Sequence, residues 1–137
     1  MAGALSAENS FITLNRSSFV NNKITGFLGA AGGAMYLVES IAYVEDNNFT
    51  GNVAESSSLC RVGAVYLKYS GASFVRAGFV ENGIHTIGGN SNFPTGGALY
   101  AAARGHGNGI WHVPVPSPGP TFDGDLIDGN DPAVRNR

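Results

Sequence analysis

Apolar and polar residues alternate along the chain in bursts of four or five positions, and the bursts recur. The segments "LSAE" from Leu5, "MYLV" from Met35, "VYLK" from Val65 and "LYAA" from Leu99 line up one above another. One alternating set holds Leu5, Met35, Val65 and Leu99, then Ala7, Leu37, Leu67 and Ala101, all apolar. The other holds Ser6, Tyr36, Tyr66 and Tyr100, then Glu8, Val38, Lys68 and Ala102, and so includes two charges. A period of two belongs to a β-strand with one face in a core, so the first set is expected inside and the second outside. A second burst follows, with Ile12, Ala42 and Ala72, then Leu14, Val44 and Phe74, expected inward, and Thr13, Tyr43 and Ser73 outward. A third, shorter strand is expected to start at the phenylalanine of "FVNN", "FTGN" and "FVEN".

The bursts keep a common step. The alanine that opens each unit sits at Ala4, Ala34 and Ala64, two steps of 30 residues, and at Ala98 after a step of 34. These alanines, like the tyrosines, are expected to face outward. Phe19, Phe49 and Phe79 also step by 30, and "FDGD" at Phe122 reads as the fourth copy, 43 residues on. Two insertions lie between, within "GGNSNFPT" from Gly88 and in "HVPVPSPGP" from His112. Such units cannot bury an apolar face alone, but stacked they share a continuous core. The expected fold is all-β: a right-handed parallel β-helix of about four coils, with three short strands and roughly 30 residues per coil. Helical solenoids do not fit a spacing of two with glycine inside every unit. One domain spans 1–137, with a proline-rich insertion loop at 112–120 and a polar tail at 131–137.

Stacking assigns the repeated polar and aromatic residues. Asn22, Asn52 and Asn82 are expected to form a turn ladder, because asparagine tolerates a left-handed backbone and its amide can bond the amide above. Asp125 takes that place in the fourth copy. Phe19, Phe49, Phe79 and Phe122 are expected to stack beside the ladder. Arg16, Asp46 and Arg76 share one column of alternating sign, which supports register weakly.

The phrases "GGAMY" from Gly32 and "GGALY" from Gly96, each unit followed by FxxN and an aliphatic residue two positions on (Ile24, Ala54, Ile84), resemble the repeat of the chlamydial polymorphic outer membrane proteins. Related repeats occur in right-handed β-helices of the pectin-lyase-like superfamily. The resemblance covers residues 2 to 130. It supplies the expected handedness, and it implies secretion or surface display and an adhesin-like role. The third copy departs from it with "VGAV" and the fourth with "FDGD". A chain that opens inside a repeat phrase is expected to be a fragment of a longer array.

Composition narrows the partners. Charged residues make up 13% of the 137 residues, about half of the ~25% usual in globular proteins, and 20 are glycine. Little charge with much glycine suits a turn-rich β protein. A net charge of -2 leaves no basic stripe for phosphates, so no nucleic-acid partner is expected. No apolar run approaches the ~20 residues of a membrane-spanning helix. The start "MAGALSAENS" has neither the basic nor the long apolar region of a signal peptide. Cys60, the single cysteine, reads as a small buried hydrophobe.

Candidate chemistry is sparse, and no cofactor is expected. Asp123, Asp125, Asp128 and Asp131 are dense enough to suggest Ca²⁺, but their spacing departs from a calcium loop, so they read as a degenerate repeat phrase with Asp123, Asp125 and Asp128 as weak candidates. Glu8 and Lys68, and Glu45 beside Asp46, lie on outer columns, yet no column collects the paired acids a glycosidase needs. His106 and His112 flank "GNGIW", with Trp111 beside them, and lack a third metal ligand; His85 stands alone. "NRS" at Asn15 and "NFT" at Asn48 match glycosylation sequons. Tyr36, Tyr66 and Tyr100 form the most suggestive surface, suited to a surface glycan or a protein. The expected role is a non-enzymatic structural or adhesive module outside the cell or on its surface, with end-to-end self-association through the helix ends. The alternative is a degenerate pectin-lyase-like, carbohydrate-active β-helix, a lyase or glycosidase.

Overall fold

A computed structural model describes residues 2–58, 60–87, 97–102, 121–123 and 126–128. Each of the first three coils contributes four strands. They are β1 (Leu5–Glu8), β2 (Phe11–Asn15), β3 (Ser18–Val20) and β4 (Lys23–Gly26); β5 (Met35–Val38), β6 (Ile41–Glu45), β7 (Asn48–Thr50) and β8 (Val53–Ser56); and β9 (Val65–Lys68), β10 (Gly71–Val75), β11 (Gly78–Val80) and β12 (Gly83–Thr86). The fourth coil adds β13 (Leu99–Ala102), β14 (Thr121–Asp123) and β15 (Leu126–Asp128). Strands pair only with their equivalents in adjacent coils, in the orders β1-β5-β9-β13, β2-β6-β10-β14, β3-β7-β11-β15 and β4-β8-β12. Every pairing is parallel. The chain is therefore a parallel β-helix.

Register follows the 30-residue step. Leu5 lies opposite Met35, Met35 opposite Val65, and Val65 opposite Leu99. Met35, Leu37, Val65 and Leu67 are fully buried, as are Val44 and Phe74 of the second sheet. A smaller cluster of Ala30, Ala54 and Cys60, packed by Ile24 and Ile84, fills the space under the fourth sheet.

Three corners in each coil share one design. The first residue of the pair is left-handed: Asn9, Glu39 and Tyr69 at one corner, Arg16, Asp46 and Arg76 at the next, Asn21, Gly51 and Glu81 at the third. Non-glycine residues resist that conformation, so something must hold it. The second residue does so, except after Arg76, where it is Ala77. At the first corner the Ser40 hydroxyl donates to the Val38 carbonyl (2.7 Å) and accepts the Ser10 amide (3.1 Å), and Ser70 repeats this with Lys68 and Ser40. At the second, Asn47 Nδ2 donates to Leu14 and Glu45 carbonyls while Oδ1 accepts the Ser17 amide at 2.9 Å. No buried side-chain nitrogen or oxygen lacks a partner among the described residues.

The structure corrects four expectations. A coil has four strands rather than three, because segments such as "VAES" pair in register despite their brevity. The third strand starts one residue before the phenylalanine, at Ser18, Asn48 and Gly78. Ala34, Ala64 and Ala98 face the core rather than solvent, each with no exposed surface. There the chain passes close to the start of the fourth strand: a Cβ on Gly33 would strike the Gly63 carbonyl and lie 2.7 Å from the Val53 amide. That narrow passage is the reason for the glycine of the GGA phrase, and it turns the next alanine inward.

The fourth correction concerns Phe122. It pairs with Phe74 in the second sheet, and Ile127 takes the place opposite Phe79. The true step there is 48 residues, so "IDGN" rather than "FDGD" is the fourth copy of FxxN. Asn130, not Asp125, then holds the ladder's position in the sequence. The loop at 112–120, the tail at 131–137, and Asp125, His106, Trp111 and His112 lie outside the described residues.

Candidate functional site

Strands β5, β9 and β13 bring Tyr36, Tyr66 and Tyr100 into one outward column, since each is opposite the next in register. The rings are nearly parallel, 4.9 Å apart between Tyr36 and Tyr66 and 5.3 Å between Tyr66 and Tyr100. At that distance each ring fills the face of its neighbour. Tyr66 consequently retains only 4% of its surface, although it points away from the core. Arg61 closes the column from the side: its guanidinium carbon is 5.9 Å from both the Tyr66 and Tyr100 centroids, and Nη1 donates to the Tyr66 hydroxyl at 3.3 Å. Burial pushes the Tyr66 phenol up, with Arg61 opposing, so it stays a neutral donor.

This geometry decides which chemistry the column can offer. A sugar ring packs on an aromatic face, and the faces between these rings are occupied. What remains outward are parts of the half-buried Tyr36 and Tyr100, on either side of the buried Tyr66, with Arg61 beside them. Tyr36 has a ringless neighbour, Ser6, on its other side.

Asn22, Asn52 and Asn82 occupy one column at the third corner. Asn52 Oδ1 accepts the Asn22 amide N–H (3.1 Å) and Nδ2 (2.9 Å), and Asn82 Oδ1 accepts the same groups of Asn52 at 3.0 and 2.8 Å. The Nδ2 groups of Asn52 and Asn82 also donate to the Phe19 and Phe49 carbonyls, both at 2.9 Å. Phe19, Phe49 and Phe79 stack inside the coil at 4.9 Å intervals, and Phe74 meets Phe49 and Phe79 edge-on. Both columns hold the helix together, and Phe49, Phe79, Asn52 and Asn82 have no exposed surface to offer a ligand.

Several of the outer charges are engaged in ion pairs. Arg76 binds Glu45 and Asp46 together, each at 2.6 Å, and this holds the Asp46 carboxyl below its usual range. A carboxyl kept ionised is ill suited to deliver a proton. Lys23 lies 2.8 Å from Glu55, with the exposed His85 3.8 Å from the same carboxylate. Val38 separates Glu8 from Lys68 in their column. Cys60 is buried with its thiol 3.2 Å from the His85 carbonyl, and burial pushes its pKa up. The strands carrying Asp123 and Asp128 belong to different sheets. Among the described residues no three His, Cys, Asp or Glu side chains could hold a metal, and no helix is long and apolar enough to cross a membrane. Asn15 donates to Glu45 at 3.2 Å, while the exposed Asn48 accepts the Thr50 hydroxyl at 3.1 Å.

Sequence reasoning missed two features. The serine ladder was available, since Ser10, Ser40 and Ser70 keep the 30-residue step. Arg61 was not, because in the sequence it is a lone charge five residues before a tyrosine. No protein-family model, curated protein or solved structure matches the chain.

Proposed function

We propose that the chain is a non-enzymatic structural and adhesive β-helix module that works outside the cell or on its surface. The observation that carries this reading is the tyrosine column with Arg61 at its side. Among the described residues it is the one outward column in which three consecutive coils repeat the same large polar-tipped side chain. Because the faces between the rings are filled, the partner is gripped by hydrogen bonds along the edge of the column. That favours an extended glycan or protein segment whose polar groups also repeat, with avidity from several weak contacts. Under this reading the acids are register devices: Glu45 and Asp46 are tied to Arg76.

Changing Tyr36, Tyr66 and Tyr100 together to Phe removes the hydroxyls and keeps the stack. Binding to a glycan array or to intact cells should fall to background while the β-sheet spectrum and melting stay close to those of the parent. Binding that survives the triple change refutes the role of this column. Cleavage of polygalacturonate or a related polymer by the purified chain overturns the non-enzymatic reading.

A further inference from the structure

Three asparagines build the ladder at the third corner, and one of them is followed by a residue of a different kind. Asn22 precedes Lys23 and Asn52 precedes Val53, but Asn82 precedes Gly83. Packing gives no reason for that glycine. A Cβ there would have nothing within 4 Å, and Gly83 sits in β12 in ordinary register with Val53. Chemistry sets the pair apart. The side-chain amide of an asparagine is an electrophile for the backbone nitrogen of the next residue. Attack of that nitrogen on Cγ closes a five-membered succinimide and expels Nδ2 as ammonia. Water then opens the ring at either carbonyl, leaving aspartate or isoaspartate. A side chain on the next residue crowds the attacking nitrogen, as at Lys23 and Val53, whereas glycine leaves it open. In an unfolded chain Asn82–Gly83 is therefore the most reactive pair of the ladder.

The fold holds the same pair inert. The Gly83 N–H is donated to Asn52 O at 2.9 Å. The Gly63 backbone packs against it so closely that a Cβ on Gly63 would lie 2.5 Å from the Gly83 nitrogen. Asn82 has no exposed surface. Its Oδ1 accepts the Asn52 amide N–H at 3.0 Å and Nδ2 at 2.8 Å, and its own Nδ2 donates to Phe49 O at 2.9 Å. The nitrogen cannot give up its proton, nor Cγ swing towards it, nor water reach the ring, unless the coil opens. The products do not fit the place they leave. Aspartate lacks the donor to Phe49 O and sets a buried negative charge beside that carbonyl. Isoaspartate adds a methylene to the backbone just before β12 and shifts that strand out of step with β8.

We propose that Asn82–Gly83 is a latent modification site, closed while the third coil is folded and converted through a succinimide to aspartate or isoaspartate once that coil opens, so that an opened module cannot close again. The site is independent of the tyrosine column. It needs no reactant but water, and it makes unfolding of this coil irreversible.

Peptide mapping by mass spectrometry tests this on the full chain, incubated in mildly alkaline buffer with and without denaturing urea. Mapping separates Asn82 from Asn108, the other asparagine followed by glycine. In urea Asn82 should convert while Asn22 and Asn52 stay intact. Without urea, conversion at Asn82 should be slower by about a hundredfold or more, because it waits on opening. Asn52→Leu, which weakens the ladder, should speed conversion in buffer by about tenfold, and Gly83→Ala should suppress conversion in urea. After urea is removed, the converted chain should fail to regain the parent melting curve, whereas Gly83→Ala carried through the same treatment should regain its own. Equal conversion at Asn82 with and without urea overturns the proposal, as does a converted chain that regains the parent melting curve. So does an Asn52→Leu chain that converts no faster than the parent, or a Gly83→Ala chain that converts as fast in urea. The rate comparison decides alone if neither chain refolds from urea.

Discussion

Replacing Asn52 with leucine tests the corner ladder at its most connected point. The Asn52 side chain has no exposed surface and makes four hydrogen bonds: two accepted from Asn22, one donated to Phe19 O, one donated to Asn82 Oδ1. Leucine matches its size and removes all four. Asn22 Nδ2 is partly buried and can turn to water. The Asn82 oxygen keeps the Asn52 backbone amide. The Asn22 amide is left without a partner, at about 1–3 kcal/mol, and the Phe19 carbonyl loses its second bond while keeping that of the β3–β7 ladder, at about 0.5–1.5 kcal/mol. Leucine's better transfer out of water offsets part of this, about 1–2 kcal/mol. The net cost should be roughly 1–3 kcal/mol, and at ~2–4 °C per kcal/mol melting should fall by roughly 3–10 °C. The assay is thermal unfolding followed by circular dichroism, with Asn48→Ala at the exposed start of β7 as the control. An Asn52→Leu melting curve that matches the control would mean that the ladder's bonds are replaceable by water, and the reasoning would be wrong.

Gly33→Ala should cost about 1–3 kcal/mol, because its Cβ meets backbone of Gly63 and Val53, whereas Gly83→Ala, with open space around its Cβ, should melt within a few degrees of the parent. Arg76→Ala should lower the urea midpoint at neutral pH and have little effect in acid: the folded Asp46 pKa is lowered by Arg76, so the pair's contribution is present above the unfolded value of ~3.9 and is lost as pH falls through the folded value. Ile127→Phe should raise the melting temperature by a few degrees, since the register opposite Phe79 extends the ring stack by a pair worth about 0.5–1.5 kcal/mol; no gain would place Ile127 outside the Phe column.

The three coils with an unbroken step of 30 were legible because every level agreed: alternation, spacing and phrase pointed to the same stack. The fourth coil was not, and the reason is specific. Between β13 and β14 the chain runs 18 residues beyond the strand end, from Ala102 to Thr121, and this long connection erases the phase. "FDGD" then looks more like FxxN than "IDGN" does, because a phenylalanine is conspicuous, yet pairing in a sheet reads position and not likeness. The inward alanines were misjudged for a related reason. They precede the strand, so the period of two does not reach them, and what turns them is the close approach at Gly33.

Function was less legible than fold because the same residues serve stacking first. In a β-helix any side chain repeated at the coil spacing gains from its copies: Phe19, Phe49 and Phe79 by ring contact inside, the asparagines by bonds at the corner, Arg76 and its acids outside. Repetition alone therefore cannot separate a binding column from a packing column. The discriminating quantity is what the stack leaves over. Phe49, Phe79, Asn52 and Asn82 leave nothing, being buried with their bonds made. The tyrosines spend the faces between them on one another, and Tyr36 and Tyr100 stay half-exposed. Under the proposed function, this lateral remainder is where an extended partner is held without disturbing the core.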